Sequence, residues 1–283
     1  MLQLKPIRSF PAILLQEKAK RVLVVADLHI GWETALIEKG IHVPSQTPKI
    51  LTKMLRLIKL VRPTNLIFLG DVKHAVSKVK MKEWQDIPSL FETLYKKVPN
   101  IQVIPGNHDG NLEALLPQDV EILSAKGTAL GEVGLFHGHA WPAPELLQCR
   151  TLITGHIHPM VAFRDPLGFR ISRQVWVRAR CHKAQLARSL LKHLGIKADN
   201  DSVALLERQF NVRTGAAHFF IMPSFNHFLG GQTVNKKRMR KDVRTRGFIG
   251  PMLRSRSVNI DGAELFLLDG TFIGTVEQLR PLS

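Results

Sequence analysis

Cysteine is scarce in this chain of 283 residues: there are two, Cys149 and Cys181. Neither lies in a C-x-x-C pair, and two thiols build no disulfide framework. A small disulfide-stapled scaffold is therefore excluded, and a reducing, cytoplasmic setting is expected. Long apolar runs are also missing. The run 22–26 is among the longest, and its length of about five residues is far below the roughly 20 that span a bilayer. The opening residues hold only a short apolar stretch at 12–15, which is no signal-peptide core. There is no internal repeat, and no helix-turn-helix, zinc-finger or RNP signature. Acid is in short supply too: 23 Asp and Glu stand against 40 Lys and Arg, a formal charge of +17. Such an excess favours polyanionic partners, nucleic acid first and an anionic membrane surface second. A plain enzyme with a basic surface explains the same number without any partner.

What the chain does have is a 45% hydrophobic content, enough to bury a real core, arranged in short, evenly spaced runs. Each run is followed at once by a residue able to bind metal. The run 22–26 leads into Asp27 and His29, 66–69 into Asp71, and 101–104 into Asn107, His108 and Asp109. The run 133–136 leads into His137 and His139, and 151–154 into His156 and His158. Runs of four or five β-favouring residues read as buried strands. Between the first two, Thr47 and Pro48 read as N-cap and N1 of a helix. Its apolar positions Leu51, Met54, Leu55, Ile58 and Val61 recur at helical spacing, and Pro63 stops it. A second helix is expected over 84–97, interrupted or started at Pro88. Trp32 and Glu33 stand where a further short helix would open.

Strand, helix, strand, helix, strand argues an α/β unit with parallel strands. In open α/β sheets the ligand site lies beyond the carboxyl ends of the strands, where the seven candidate ligands Asp27, His29, Asp71, Asn107, His137, His156 and His158 fall. Beyond residue 160 the pattern changes. The segments 161–164 and 169–173 read as a hairpin, 174–180 as its extension, and 184–194 as an amphipathic helix closed by Gly195. The segments 218–222, 264–268 and 271–276 read as strands that complete a second sheet.

Singly, D-x-H is a weak signal, and a capping Asp beside a surface His explains it. G-H-x-H and G-N-H-D are more specific, and the ordered set is strong. The order is D-x-H (Asp27, His29), G-D-x-x-H (Gly70, Asp71, His74), G-N-H-D (Gly106, Asn107, His108, Asp109), H-G-H (His137, His139) and G-H-x-H (Gly155, His156, His158). This set resembles the calcineurin-like metallophosphoesterases over about residues 20–160. Within that superfamily it is similar to the prokaryotic phosphoesterases related to a repair nuclease, in particular the ligase-associated DNA-damage-response endonuclease branch. The segment 221–226, with Gly230 and Gly231, resembles that branch as well.

The resemblance implies a site. Asp27, His29 and His158 would hold one divalent ion; Asn107, His137 and His156 would hold a second; Asp71 would bridge both. The pair of ions would clamp a phosphate and activate a bridging hydroxide for in-line attack. With O and N donors and no thiolate, Mn, Fe, Zn and Ni all fit, Mn being preferred. His108 matches the general acid that protonates the leaving oxygen. Many relatives pair that histidine with an Asp where this chain has His74, which cannot orient it as a carboxylate does. His74 is left to contact phosphate or to share acid–base work, and His139 to pack behind His137 or to contact phosphate.

The expected architecture is α/β: a four-layer αββα sandwich of two mixed β-sheets flanked by helices, with a dinuclear site at the C-terminal strand ends. It is expected as a single domain over 1–283, with the motif-bearing core at about 20–160 and the remainder completing it. The expected reaction is hydrolysis of a phosphate ester, by preference a phosphodiester in nucleic acid and in DNA repair. A phosphatase or phosphodiesterase of small phosphate esters, or a non-catalytic scaffold on the same fold, are the competing readings. The segment 236–246 carries seven basic residues and one acid. It reads as a phosphate-backbone clamp or as a solvated loop, and its lack of aromatics argues against base stacking there.

Overall fold

The first sheet begins as an antiparallel meander and turns parallel once helices intervene. In the computed structural model, which describes residues 2–198, 201–236 and 249–283, strands β1 (Gln3–Pro6), β2 (Ala12–Glu17) and β3 (Lys20–Val25) pair antiparallel. Short helix α1 (Glu33–Ile37) and long helix α2 (Thr47–Val61) then cross to β4 (Asn65–Leu69), and α3 (Met81–Tyr95) crosses to β5 (Asn100–Ile104). β3, β4 and β5 run parallel, as crossover connections require. β6 (Glu121–Ile122) completes the order β1-β2-β3-β4-β5-β6.

The chain then builds a second sheet. β7 (Thr128–Leu130) and β8 (Val133–Leu135) form a hairpin, and β9 (Thr151–Thr154) lies parallel to β8. β10 (Met160–Arg164) turns into β11 (Arg170–Cys181), so the expected hairpin arm and its extension are one continuous strand. Helices α4 (Lys183–His193) and α5 (Ser202–Phe210) follow, then β12 (His218–Ile221), α6 (Pro251–Arg254), β13 (Val258–Leu267), β14 (Phe272–Thr275) and α7 (Val276–Leu279). The order is β14-β13-β11-β12-β9-β8-β7, with β12 parallel to β9 and the C-terminal strands antiparallel.

The central strands of both sheets are buried on both faces, which explains why they read as unbroken apolar runs. In β3, Val22 and Val24 point between the sheets, where Ile67, Leu69, Val133, Leu135, Ile153, Trp176 and Met222 meet them. Leu23 and Val25 point the other way, into the layer covered by α2 and α3 through Met54, Leu57, Leu90 and Phe91. The outer face of the second sheet, including Val175, Val177, Phe219 and Leu265, is covered by Leu186, Leu190 and Leu191 of α4 and Leu206 of α5. Helix, sheet, sheet, helix is the layering expected from the sequence. Among the described residues no helix is long and apolar enough to cross a membrane.

Two local expectations are corrected. Helix α2 is capped at Gln46 rather than Thr47, because Glu33 receives the Gln46 amide and Thr47 turns its hydroxyl to Asp86, donating at 2.7 Å. Helix α3 runs through Pro88 from a start at Met81. The buried carboxylate of Glu83 fixes that start by accepting the Lys80 amide (2.8 Å). Ile87, Leu90, Phe91 and Leu94 then anchor one face on either side of the proline, so packing outweighs the lost bond. Helix α5 carries no expectation from the sequence reading; Asp201 caps it by accepting the Ala204 amide at 3.0 Å. Of the basic segment 236–246, all but Lys236 lies outside the described residues.

Candidate metal centre

The C-terminal ends of β3, β4 and β5 in one sheet face those of β8 and β9 in the other, and the candidate ligands occupy the turns that follow. These turns are tight. Asp27 (φ 59°), His29 (φ 45°), Asp71 (φ 50°), His156 (φ 73°) and His158 (φ 45°) are all left-handed, a region that side chains disfavour. Hydrogen bonds from their amides hold three of them there: the Asp27 amide donates to Gly70 O (3.0 Å), the His29 amide to Asp71 O (2.8 Å), and the His156 amide to the Asp27 side chain at Oδ2 (3.1 Å). At Gly106 a Cβ would collide with the Asp71 carboxylate, so only glycine lets the third motif close over the second.

Two groups of donors converge. In one, Asp27, His29 and His158 bring single ligand atoms within 4.8 Å of one another; in the other, Asp71, His137 and His156 do so. Asp71 joins them, since its Oδ2 lies 3.4 Å from His29 Nε2 and 3.5 Å from His137 Nε2. Asp27 Oδ1 lies 3.0 Å from His137 Nε2 and 3.4 Å from His158 Nε2. His29 Nε2 and His158 Nε2 face each other at 3.2 Å. Ring nitrogens turned toward one another and toward carboxylates, rather than toward separate hydrogen-bond partners, suit shared cations at their centre. Such an O and N donor set fits first-row divalent ions. Asn107 is exposed beside these groups on the wall of a cleft that it shares with His139 and His156.

His108 and His74 form the neighbouring edge. Their rings stack at 5.5 Å, and His29, His74 and His108 make a third convergent group. His108 Nδ1 bonds the backbone carbonyl of His74, and the His108 amide donates to Asp71 Oδ1 at 2.9 Å. His74 turns its own Nδ1 toward His29 Nδ1 at 3.3 Å. His139 Nδ1 faces His137 Nδ1 at 3.0 Å, so it packs behind that ring while also lining the cleft.

Burial works against ionising Asp27, but the imidazoles of His158 and His137 outweigh it and hold its carboxyl far below the usual range. Burial and the nearby Asp27 raise Asp71. Burial and the like charge of Asp71 push Asp109 up to about 6. Among the rings, burial lowers His29 well below its ordinary value and takes His156 down to about 3 and His139 to about 4. Burial also disfavours charge on His137 and His158, yet the carboxylates around them win: Asp71 and Asp27 raise His137, and Asp27 raises His158. The centre therefore mixes neutral rings with rings that prefer a proton.

Several supporting roles escaped the sequence reading. Ser224 donates to Asp27 O (2.8 Å), and Asn226 Nδ2 donates to Leu28 O (3.0 Å), so the 221–226 segment braces the D-x-H turn from about 200 residues away. Their only signal was the resemblance of that segment. Asp109, visible in G-N-H-D, accepts the amides of Val72 and Gly106, both at 2.8 Å, and ties the second and third motifs together. Glu83 accepts the amides of His74 (3.0 Å) and Ala75 (2.7 Å) and had no signal at all.

A fold of two facing sheets with acid and imidazole donors at the strand ends defines a class. Residues 20–150 match the model of the calcineurin-like phosphoesterase family, a match that supports a metal-dependent hydrolase. Among solved structures the chain is similar to the nuclease MPE of Pseudomonas putida. The match spans 95% of this chain and 98% of that one, at 18% identity and a TM-score of 0.51, a likeness of fold. A partial match reaches YfcE, a phosphoesterase from E. coli, at 22% identity over 51% of this chain and 73% of that one, with a TM-score of 0.33. No curated protein matches the chain.

Proposed function

We propose that the protein is a two-metal phosphodiesterase that cleaves nucleic acid, acting as a single domain. Asp27, His29 and His158 would hold one ion and Asn107, His137 and His156 the other, with Asp71 shared between them. The observation that carries this reading is the position of Asp71 Oδ2, within 3.5 Å of one ring from each group. When bound, the ions supply Lewis acidity and a nucleophile at neutral pH. The chain's own contribution is orientation and proton control. Asp27 stays ionised among its histidines and keeps two imidazoles turned inward. His108, fixed at Nδ1 by a main-chain carbonyl, is left with Nε2 to donate a proton to the leaving oxygen. Manganese is the preferred ion. The net charge of +17 favours a polyanion over a small ester, and a role in DNA repair follows from the nuclease-branch motifs. Two free thiols fit a cytoplasmic location.

The test is to purify the protein, measure bound metal, and assay a chromogenic phosphodiester and a monoester with Mn²⁺, Fe²⁺, Zn²⁺ and Ni²⁺. The diester should be hydrolysed best with Mn²⁺, and Asp71→Asn should lose bound metal and about 10³-fold or more of the rate. Silence with all four ions, or an unchanged Asp71→Asn protein, overturns the proposal.

A further inference from the structure

From the Asn107 and His156 edge of the centre a cleft of about 1390 Å³ runs between helix α4, the residues around α6 and the loop that carries Trp141. Its far wall follows from the pattern of α4. Leu186, Ala187, Leu190 and Leu191 seat one side of that helix in the core. That fixes Gln185, Arg188, Ser189, Lys192 and His193, spaced by three and four residues, on the side that lines the cleft. Arg254 and Arg256 line it from the opposite chain segment, and the described lining residues include no Asp or Glu. Among the described residues no carboxylate pairs with Arg188, Lys192 or Arg256, all of which are exposed. The cleft is therefore a cationic trough that opens onto the catalytic centre.

The trough also has an aromatic shelf. The rings of Trp141 and His193 lie 5.8 Å apart at an interplanar angle of 26°. Trp141 is half-buried, packed against the core beneath the second sheet while still lining the cleft. His193 closes the cationic face of α4. A stacked aromatic pair beside the exposed cations of α4 is an arrangement that binds single-stranded nucleic acid: phosphates follow the cations and an unpaired base stacks on the outer ring face. The size agrees, since small-molecule sites occupy about 300–1,000 Å³ and this trough is larger.

We propose that this trough is the docking track for an unpaired strand, with Trp141 and His193 taking a base and Arg188 and Lys192 taking phosphates beside the scissile bond. The proposal deepens the nuclease reading by adding that the strand is recognised through an exposed base as well as its charge. Trp141 acts here as a specificity-determining contact, not as part of the bond-breaking machinery.

The test uses the full-length protein in EDTA, so that no cleavage occurs, with a fluorescent oligo(dT) strand of about 15 nucleotides and an abasic strand of equal length. Wild type should bind oligo(dT) about tenfold more tightly than the abasic strand. Trp141→Ala should lose that preference while keeping its affinity for the abasic strand, and Trp141→Phe should restore it. Trp84→Ala, on exposed α3, is the control and should change nothing. Arg188→Ala and Lys192→Ala should each reduce the slope of log affinity against log salt by about 0.7. Equal binding of both strands by wild type, or duplex binding as tight as single-strand binding, overturns the proposal, as does an unaltered preference in Trp141→Ala. These outcomes stand apart from the nuclease reading, which fails on the metal-dependent diester assay whatever the trough binds.

Discussion

His108 is oriented by the main chain of His74 and not by its side chain: the imidazole Nδ1 of the one bonds the backbone carbonyl of the other. The missing carboxylate at position 74 is thus replaced by a group that every amino acid possesses. Removing the His74 ring should leave the His108 ring in place. His74→Ala is expected to slow hydrolysis by less than about tenfold, whereas His108→Ala should cost about 10²- to 10⁴-fold. The loss in His108→Ala should be greatest for esters with a poor leaving group, which need the proton, and small for p-nitrophenyl esters. Steady-state rates over a leaving-group series check this. Equal losses in the two variants would assign the His74 side chain a direct part.

Metal loading should release protons at neutral pH. Burial opposes charge on His137 and His158, but the carboxylates around them raise both above the ordinary imidazole value, so these are the rings from which an incoming ion would displace protons. His156, brought down to about 3 by burial, and His29 are already neutral and release none. Mn²⁺ titration by calorimetry in two buffers of different ionisation enthalpy should show a net release of protons on binding, greater at pH 6 than at pH 8. Apparent metal affinity should climb with pH until the two raised rings have lost their protons, and level off above that point.

Asn226 supports the first motif across the whole sequence. Its Nδ2 donates to Leu28 O, and its Oδ1 accepts the Phe228 amide at 3.1 Å, with the side chain fully buried. Asn226→Ala leaves Leu28 O without that donor and should destabilise the fold by about 1–3 kcal/mol. It should also weaken metal binding about 10- to 100-fold by letting the turn with Asp27 and His29 relax. Asn226→Asp keeps the acceptor for Phe228 but loses the donor, so it should share the metal defect. Thermal melts with and without Mn²⁺ separate the two effects.

The strand ends were legible because their physics is local. A run such as 65–69 is too apolar for a surface and too short for a buried helix, and a ligand-type residue follows it. The donors were legible by type, and the amphipathic α4 by its spacing. What stayed hidden depends on contacts between distant residues. Glu83 is an unremarkable acid in the sequence, yet it organises the turn at His74 and the start of α3 together. Pro88 looks like a break because the packing that overrides it lies in other elements. Trp141 and His193 are about 50 residues apart, and neither carries a motif that would pair them.

The left-handed turns under Asp27, His29, Asp71, His156 and His158 have a consequence for how the protein tolerates change. Each such backbone costs roughly 1 kcal/mol or more. A chain selected for heat resistance alone would drift toward glycine or asparagine at these five places and lose the enzyme. Robustness and chemistry pull in opposite directions at the same residues. The tolerance needed to keep the chemistry must come from the three apolar layers, so substitutions there will be felt first as loss of function and only later as loss of fold.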